Sequence, residues 1–361
     1  MSILNVMWAG GSAFASVQKV HQQVLGSIDC GASIHTWLLQ GGAQPGDGAV
    51  EWNLSSAQLK GRHVWKLLVP LMQARFRRAL PGDVKVVLLD GVGVARVLLP
   101  VLKSLPEVRA VVLFHGMTRL RGSDRTLFEQ FPESRLTVAA VSQTLADSLQ
   151  CDLQRPVAVL RSAFDPDAFR AATLPREQAR ARLGLSPGNA PVLGAVGRLV
   201  GSKGFACLLE AFAGVTTHQP EARLVIVGEG AARADLEALV ERLGLRGKVY
   251  MPGHLAEAAT LYRAFDWVAI PSSAEGLGLI VQEAVMAGVP VLTSELAVFR
   301  EQLAGAGWYA PSDDADAWAR LLEQAFAAGP EAAVQAQLQA LAPEQAWQDF
   351  TATARRLLSP R

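Results

Sequence analysis

Cysteine is scarce, long apolar runs are missing and neither sign of charge prevails in this chain of 361 residues. The three cysteines, Cys30, Cys151 and Cys207, stand far apart with no CxxC pair. Their spacing points to neither a disulfide framework nor a zinc site, and it fits a reducing compartment. No apolar stretch approaches the length of a membrane span. The opening residues, MSILNVMWAGG, have no basic n-region and read as a strand running into a turn. A cytoplasmic protein is expected. The 34 basic and 33 acidic side chains leave a net charge of +1, without the basic footprint that nucleic-acid binding usually leaves. No nucleic-acid partner is expected.

What is present is apolar substance and glycine. Half of the residues are apolar and 32 are glycine. That excludes disorder and suffices for two cores, at a prior of about 150 residues per domain. The quiet net charge conceals an asymmetry: 17 basic and 12 acidic residues give +5 over 1–165, while 17 and 21 give −4 over the rest. Short Val-, Ile- and Leu-rich runs at 3–8, 33–39, 84–89, 110–114 and 136–141 alternate with helical spacing, as at 17–27 and 92–105. The second half repeats this, with strands expected at 191–197, 223–227, 249–251, 267–270 and 290–293. Helices are expected there at 205–215, 236–243, 258–264 and 279–287. Such runs read as strands buried on both faces, and their alternation with helices predicts parallel α/β sheets. Residues 166–187 form a polar passage between the halves, with a short helix near 176–182. The tail, 331–358, reads as a helix interrupted near Pro343.

Ligands of such sheets bind beyond the carboxyl ends of the strands. Three loops in the second half follow strands and carry chemistry. GRLVGSKG, residues 197–204, sends Arg198 and Lys203 from one strand end, a guanidinium fork and a mobile ammonium suited to a diphosphate. The order differs from the Walker pattern, since Lys203 precedes Gly204. VGEG, residues 227–230, places Gly228 and Gly230 in a tight turn with exposed amides. PSSAEGLGL, residues 271–279, opens a helix. Gly276 and Gly278 allow a turn whose amides, with those around Leu277 and Leu279 and the positive helix end, suit a pyrophosphate. Glu283 follows among apolar neighbours, where a carboxylate is costly unless its acceptors are used. A sugar diol supplies matching donors, so Glu275 and Glu283 flanking the glycine turn suggest a nucleotide-linked sugar. No DxD-like carboxylate pair sits at a strand end, so neither a metal nor a tightly bound cofactor is expected.

Glu275 and Glu283 give the E-x7-E spacing in EGLGLIVQE, with GRLVGSKG upstream, VGEG between and AGVPVLTS downstream. This second half closely resembles the retaining glycosyltransferases of family 4. AFDPDAF at 163–169 and Val141-Ser142 are further echoes; elsewhere in the first half the likeness is thin. The resemblance implies an α/β, GT-B fold: two Rossmann-like domains facing each other across a cleft. Residues 1–165 would bind the acceptor and 166–345 the nucleotide-sugar. A C-terminal helix, 346–361, would cross back onto the first domain. The donor implied is a UDP, GDP or ADP sugar, bound as substrate. Arg198 and Lys203 would stabilise its diphosphate, Glu275 would contact the sugar, and the amides of Gly276, Leu277, Gly278 and Leu279 would hold sugar and phosphate. Glu283 would take the ribose hydroxyls, with Gly228 part of the donor surround. Gly10 and Gly11 resemble the family's first glycine loop, and His115 matches a histidine near the donor sugar. Three departures stand out: Leu277 replaces an aromatic residue, Ser162-Ala163-Phe164 replaces an asparagine-glycine turn, and Gly116 stands where many relatives carry an acid.

The activity implied is retaining, metal-independent transfer of a sugar to a hydroxyl of a glycan or glycolipid acceptor, as in lipopolysaccharide or other cell-surface polysaccharide synthesis. Two alternatives stay open: a nucleotide-sugar epimerase of the same fold, and an inert nucleotide-sugar-binding or partner-binding subunit. One stretch lies outside this scheme. KGRHVWKLLVPLMQARFRR, residues 60–78, sets six Lys or Arg among Trp65, Leu67, Leu68, Leu71, Met72 and Phe76. Pro70 is expected to interrupt a single helix or to sit near the start of a second. Such a segment fits peripheral contact with an anionic membrane, at the cytoplasmic face of the inner membrane. It fits a core helix with a basic rim equally well.

Overall fold

The computed structural model describes residues 2–9, 15–28, 31–42, 48–59, 65–185 and 190–359. Gly10, Gly11, Cys30 and residues 60–64 lie outside the described residues. The chain divides into two compact units, Met1–Ser162 with Gln348–Arg361, and Ala163–Trp347.

The first unit holds a parallel sheet of seven strands: β1 (Ser2–Ala9), β2 (Ser33–Gln40), β3 (Val50–Glu51), β4 (Val84–Asp90), β5 (Arg109–Phe114), β6 (Leu136–Ala140) and β7 (Val157–Val159). Their order is β3-β2-β1-β4-β5-β6-β7. Val86–Leu89 and Ala110–Phe114 are buried, as the absence of polar alternation in their sequence requires. The helix Gly91–Lys103 supplies much of the cover, with Val94, Leu98, Leu99 and Leu102 buried. Strand order reverses at β1 and β4. Loops leaving such neighbours diverge and leave room at their carboxyl ends.

The second unit repeats the plan with β8 (Val192–Val196), β9 (Arg223–Val227), β10 (Val249–Gly253), β11 (Trp267–Ile270), β12 (Val291–Ser294) and β13 (Trp308–Ala310). All pairs are parallel, in the order β10-β9-β8-β11-β12-β13, so the switch point lies between β8 and β11. Phe205, Phe212, Trp267 and Trp318 fill one core. Both units are Rossmann-like.

Some elements depart from the expectations. The helix expected at 258–264 is two 3-10 turns, Ala258–Thr260 and Tyr262–Ala264. Too few residues separate it from β11 for a continued helix, and bonds to the third residue back close the chain more tightly. The helix Trp65–Ala79 continues through Pro70, which sits in its second turn and removes one early bond. Strands β3, β7 and β13 have only two or three residues each and left no run to read.

The tail does break where expected. Ala342 has φ +40° between the helices Glu331–Leu341 and Pro343–Leu358, and Pro343 occupies the first helical position. The last helix joins the first unit, with Phe350, Leu357 and Leu358 buried. Arg355 Nε donates to the Ser27 carbonyl at 2.8 Å, and Arg109 Nη1 donates to that of Ser359. In AFDPDAF, Asp165 caps the helix Pro166–Ala172, accepting from the amides of Asp167 and Ala168.

Candidate functional site

Around the switch point of the second unit, the loops after β8 and β11 bring opposite charges together. Lys203 ends a 3-10 turn after β8, and its Nζ donates to Glu275 Oε1 in the loop after β11. Ser272 Oγ donates to the same oxygen at 2.9 Å. Lys203 and Glu275 keep 17% and 12% of their side-chain surface exposed, so the pair is shielded yet open to a ligand. Arg198 is exposed and, among the described residues, forms no ion pair. The loop after β8 thus carries an exposed guanidinium with no ion pair among the described residues and an ammonium held by a carboxylate.

The turn at 275–278 is fixed from beneath. Gly278 has φ +79°, and a Cβ there would lie 2.5 Å from the Phe299 ring. The Leu277 side chain is buried and serves as the apolar anchor of the turn. Its carbonyl accepts from Gln302 Nε2 at 2.5 Å, and Gln282 Nε2 donates to Gln302 Oε1 at 3.4 Å. The turn leads into the helix Leu279–Met286, whose first amides have no acceptor inside the helix. Glu283, half-buried, accepts from the hydroxyl of wholly buried Tyr262 at 2.9 Å. Burial, then the neighbouring Glu283 charge, holds the Tyr262 phenol well above its ordinary range, so it remains a donor.

Gly228 differs from expectation. Its amide donates to the Gly253 carbonyl at 2.9 Å and is not exposed to an anion. A Cβ would meet the Gly197 carbonyl oxygen at 1.8 Å, so glycine here lets the ends of β8 and β9 pack.

The first unit holds a separate cluster. His115 follows β5, Asp90 ends β4, Asn5 lies inside β1, and His21 comes from the helix Ala15–Gly26. His21 Nδ1 is 2.6 Å from Asn5 Oδ1, and His21 Nε2 is 3.0 Å from His115 Nε2. Asp90 Oδ1 lies 3.9 Å from His115 Nε2, and Asp90 Oδ2 accepts from the Trp8 amide at 3.1 Å. Burial disfavours every charge here. It lowers His115 to about 4 and raises Asp90 to about 6 against the Trp8 bond; His21 is pushed well below its ordinary value by burial and then by His115. His21, Asp90 and His115 also bring three possible ligand atoms within 4.8 Å of one another. The ring centroids of the two histidines are 5.1 Å apart, well beyond their nitrogen separation.

The structure thus brings together Lys203, Glu275, Gly276, Leu277, Gly278, Leu279 and Glu283 in the second unit, with Arg198 leaving the same strand end. His115 stands in the first unit. Sequence reasoning missed Tyr262, Gln302, Asn5, His21 and Asp90. Two of these carried a signal: Asn5 interrupts the apolar run SILNVMW, and Asp90 closes VKVVLLD at a strand's carboxyl end. Tyr262 and Gln302 carried none, because each acts on a residue about twenty positions away.

Residues 176–338 match the family model of the glycosyl transferases group 1. That segment lies within the second unit. The 2-deoxystreptamine glucosyltransferase of Streptomyces kanamyceticus is 31% identical over 234 residues, covering 60% of each chain. A D-inositol 3-phosphate glycosyltransferase of Segniliparus rotundus is 41% identical over 124 residues, covering 33% of this chain and 27% of that one. The chain thus spans less than two thirds of the length of these two relatives. Among solved structures, a glycosyltransferase from Rickettsia africae superposes with a TM-score of 0.77 at 17% identity, covering 100% and 99% of the two chains. Anabaena HepE, in complex with UDP and glucose, has a TM-score of 0.77 at 20% identity, covering 98% and 97%. Likeness over the whole chain at such low identity establishes the fold as GT-B.

Proposed function

We propose that this glycosyltransferase-like protein of the GT-B fold transfers a sugar from a nucleotide-diphosphate sugar to a hydroxyl of a glycan or glycolipid acceptor. The second unit holds the donor and the first the acceptor. The observation that carries this reading is the glycine turn at 275–278. It is flanked by the Lys203–Glu275 pair on one side and by Glu283, oriented by Tyr262, on the other. A diphosphate replaces Glu275 as the partner of Lys203, with Arg198 and the amides of the helix Leu279–Met286 adding positive character. Glu275, released, accepts from a sugar hydroxyl. Glu283, its carboxylate oriented by Tyr262, accepts from the ribose diol.

Glycosyl transfer develops positive charge on the sugar and negative charge on the leaving diphosphate. Once the donor is bound, Lys203, Arg198 and the helix amides stand in place to oppose the latter. Leaving-group stabilisation by Arg198 and Lys203 makes the reaction metal-independent, and the resemblance to family 4 supports retention at the anomeric carbon. HepE, solved with UDP and glucose, favours UDP sugars as the first donors to try. Acceptors to try are lipid-linked glycans, 2-deoxystreptamine and inositol 3-phosphate, the last two after the relatives' names.

The protein works at the cytoplasmic face of the inner membrane. No helix among the described residues is long and apolar enough to cross a membrane. The helix Trp65–Ala79 is anchored by Phe76, buried against Trp37 and Trp52, while Leu68 and Leu71 are 42% and 69% exposed, with Arg75, Arg77 and Arg78 beside them. An apolar tip with basic neighbours fits an anionic headgroup layer. Flotation with anionic liposomes tests it: binding that Leu71→Glu abolishes is expected, and no binding at low salt removes this part.

The central test is a thermal-shift screen of nucleotide-sugars, repeated for the hits with Glu283→Ala and Lys203→Ala. A donor-dependent rise in Tm that both substitutions diminish is expected. No shift with any donor in the folded wild type would refute the reading.

A further inference from the structure

We infer that Asn5 and His21 are positioning residues that set the tautomer of His115, leaving its Nδ1 as a bare hydrogen-bond acceptor for a substrate hydroxyl. Only the word substrate rests on the glycosyl-transfer reading; the tautomers follow from the cluster itself.

Asn5 Oδ1 is an acceptor, and the His21 nitrogen 2.6 Å from it is Nδ1. That nitrogen therefore carries the hydrogen and donates. A neutral imidazole has one N–H, so His21 Nε2 is bare and accepts. Its partner at 3.0 Å is His115 Nε2, which must then be the donor. By the same count His115 Nδ1 is bare, and no hydrogen-bond partner for it is present among the described residues. His21 is wholly buried, whereas 13% of the His115 side chain remains exposed, so the free acceptor belongs to the ring that a ligand can reach.

The opposite arrangement is disfavoured. With the hydrogen of His21 on Nε2, its bare Nδ1 would face the amide oxygen of Asn5, acceptor against acceptor. Charging both rings would place two cations within hydrogen-bond distance in a buried site. The other groups facing the pair are Asp90, whose Oδ1 is 3.9 Å from His115 Nε2, and the Trp8 amide that holds Asp90. Asp90 favours an N–H at His115 Nε2, the same tautomer. The two influences agree. A donor is fixed toward the core and an acceptor toward the solvent.

Long-range 1H–15N correlation spectra of histidine-labelled protein read tautomers directly. The expected spectrum of the unliganded wild type near pH 7 has His21 protonated at Nδ1 and His115 protonated at Nε2. A bare Nε2 at His115, or a doubly protonated ring at either position, would overturn the inference without any variant. Two substitutions then separate positioning from packing. His21→Gln places an amide near the lost Nε2 and is expected to preserve the His115 tautomer. His21→Leu is expected to release it into a mixture. An unchanged tautomer in folded His21→Leu would refute the relay. Once a donor is found, His21→Leu should lower kcat about tenfold, with KM for the donor moving less than about threefold. His21→Gln should recover most of the loss, and equal losses in the two variants would sink the positioning role. If no donor is turned over, the spectra still decide the tautomers, and the failure falls on the glycosyl-transfer reading alone.

Discussion

In the second unit the candidate site is made of charges near the surface: Arg198, Lys203, Glu275 and Glu283 stand at strand ends or on the first turns of a helix. In the first unit Asn5, His21, Asp90 and His115 are packed where every charge is disfavoured. The difference separates two tasks. Charges that can change partners suit a ligand arriving with its own charge, such as a diphosphate. A neutral cluster with assigned donors and acceptors suits an uncharged hydroxyl, whose position matters more than its attraction.

The largest effect expected from this comparison is on the charged side. Lys203→Ala removes the cation proposed to oppose the leaving diphosphate and takes one donor from the shielded Glu275. It should lower kcat by roughly 10²–10³-fold, the range for losing one preorganised charge-stabilising donor. Lys203→Arg should recover part of this, because charge matters most. Steady-state kinetics with the best donor provide the measurement. A loss confined to KM would mean that Lys203 binds ground state and transition state alike.

The neutral side should reveal itself in acid. The folded-state values of His115, about 4, and of His21 are depressed. Their stabilising contribution is complete above the ordinary histidine value and is lost as pH falls from about 6.5 toward 4. Asp90 runs the other way. Its value is raised to about 6, so it favours folding most at low pH and loses that contribution as pH rises through 6. The depressed histidines oppose the raised carboxyl, and with two rings on one side acidification from about pH 6.5 to about 4.5 should destabilise the protein through this cluster. Thermal unfolding against pH measures it, and His115→Gln should flatten the profile. A profile that the substitution leaves unchanged would place the acid sensitivity elsewhere.

A third expectation concerns the frame under the charged site. Gly278→Ala puts a methyl 2.5 Å from the Phe299 ring at φ +79°. The strain and the displaced ring should cost about 2 kcal/mol. Tm in the absence of ligand detects it. Gly276→Ala makes the contrast, because Gly276 has no positive φ and its substitution should cost less.

How far each region was legible follows from where its parts lie in the chain. The charged residues of the second unit fall in two loops that follow strands and are announced by glycines, and in the helix that the second loop opens, so local sequence carried Lys203, Glu275 and Glu283. The α/β alternation was equally local, and both parallel sheets could be read from it. Strands β3, β7 and β13 escaped because two or three residues make no pattern. The neutral cluster escaped for another reason. His21 and His115 are 94 positions apart, and only the order of β1, β4 and β5 brings Asn5, Asp90 and both histidines together. Nothing local marks His21, which sits among ordinary helical residues, so its partner had to come from topology. Gly228 shows the converse. Its motif was legible, but the amide expected to be exposed is bonded to the Gly253 carbonyl where two strand ends pack.

The smallest effect tests whether the charged side relies on neutral support of its own. Tyr262 is wholly buried and its hydroxyl reaches Glu283 from below. Tyr262→Phe removes that donor while keeping the ring, so packing should be nearly preserved. Glu283 then loses this hydrogen bond, and the ribose diol would meet a less ordered carboxylate. A bond to a charged acceptor contributes about 1.5 kcal/mol or somewhat more. Water reaching half-buried Glu283 offsets part of it, leaving a loss of about threefold to tenfold in donor affinity. Calorimetric titration with the nucleoside diphosphate alone should register this loss, because the ribose is present without the sugar. Glu283→Gln should lose more in the same titration, and combining it with Tyr262→Phe should add little, since both act on one contact. Full additivity of the two substitutions would break the link and leave Tyr262 as a residue of the core.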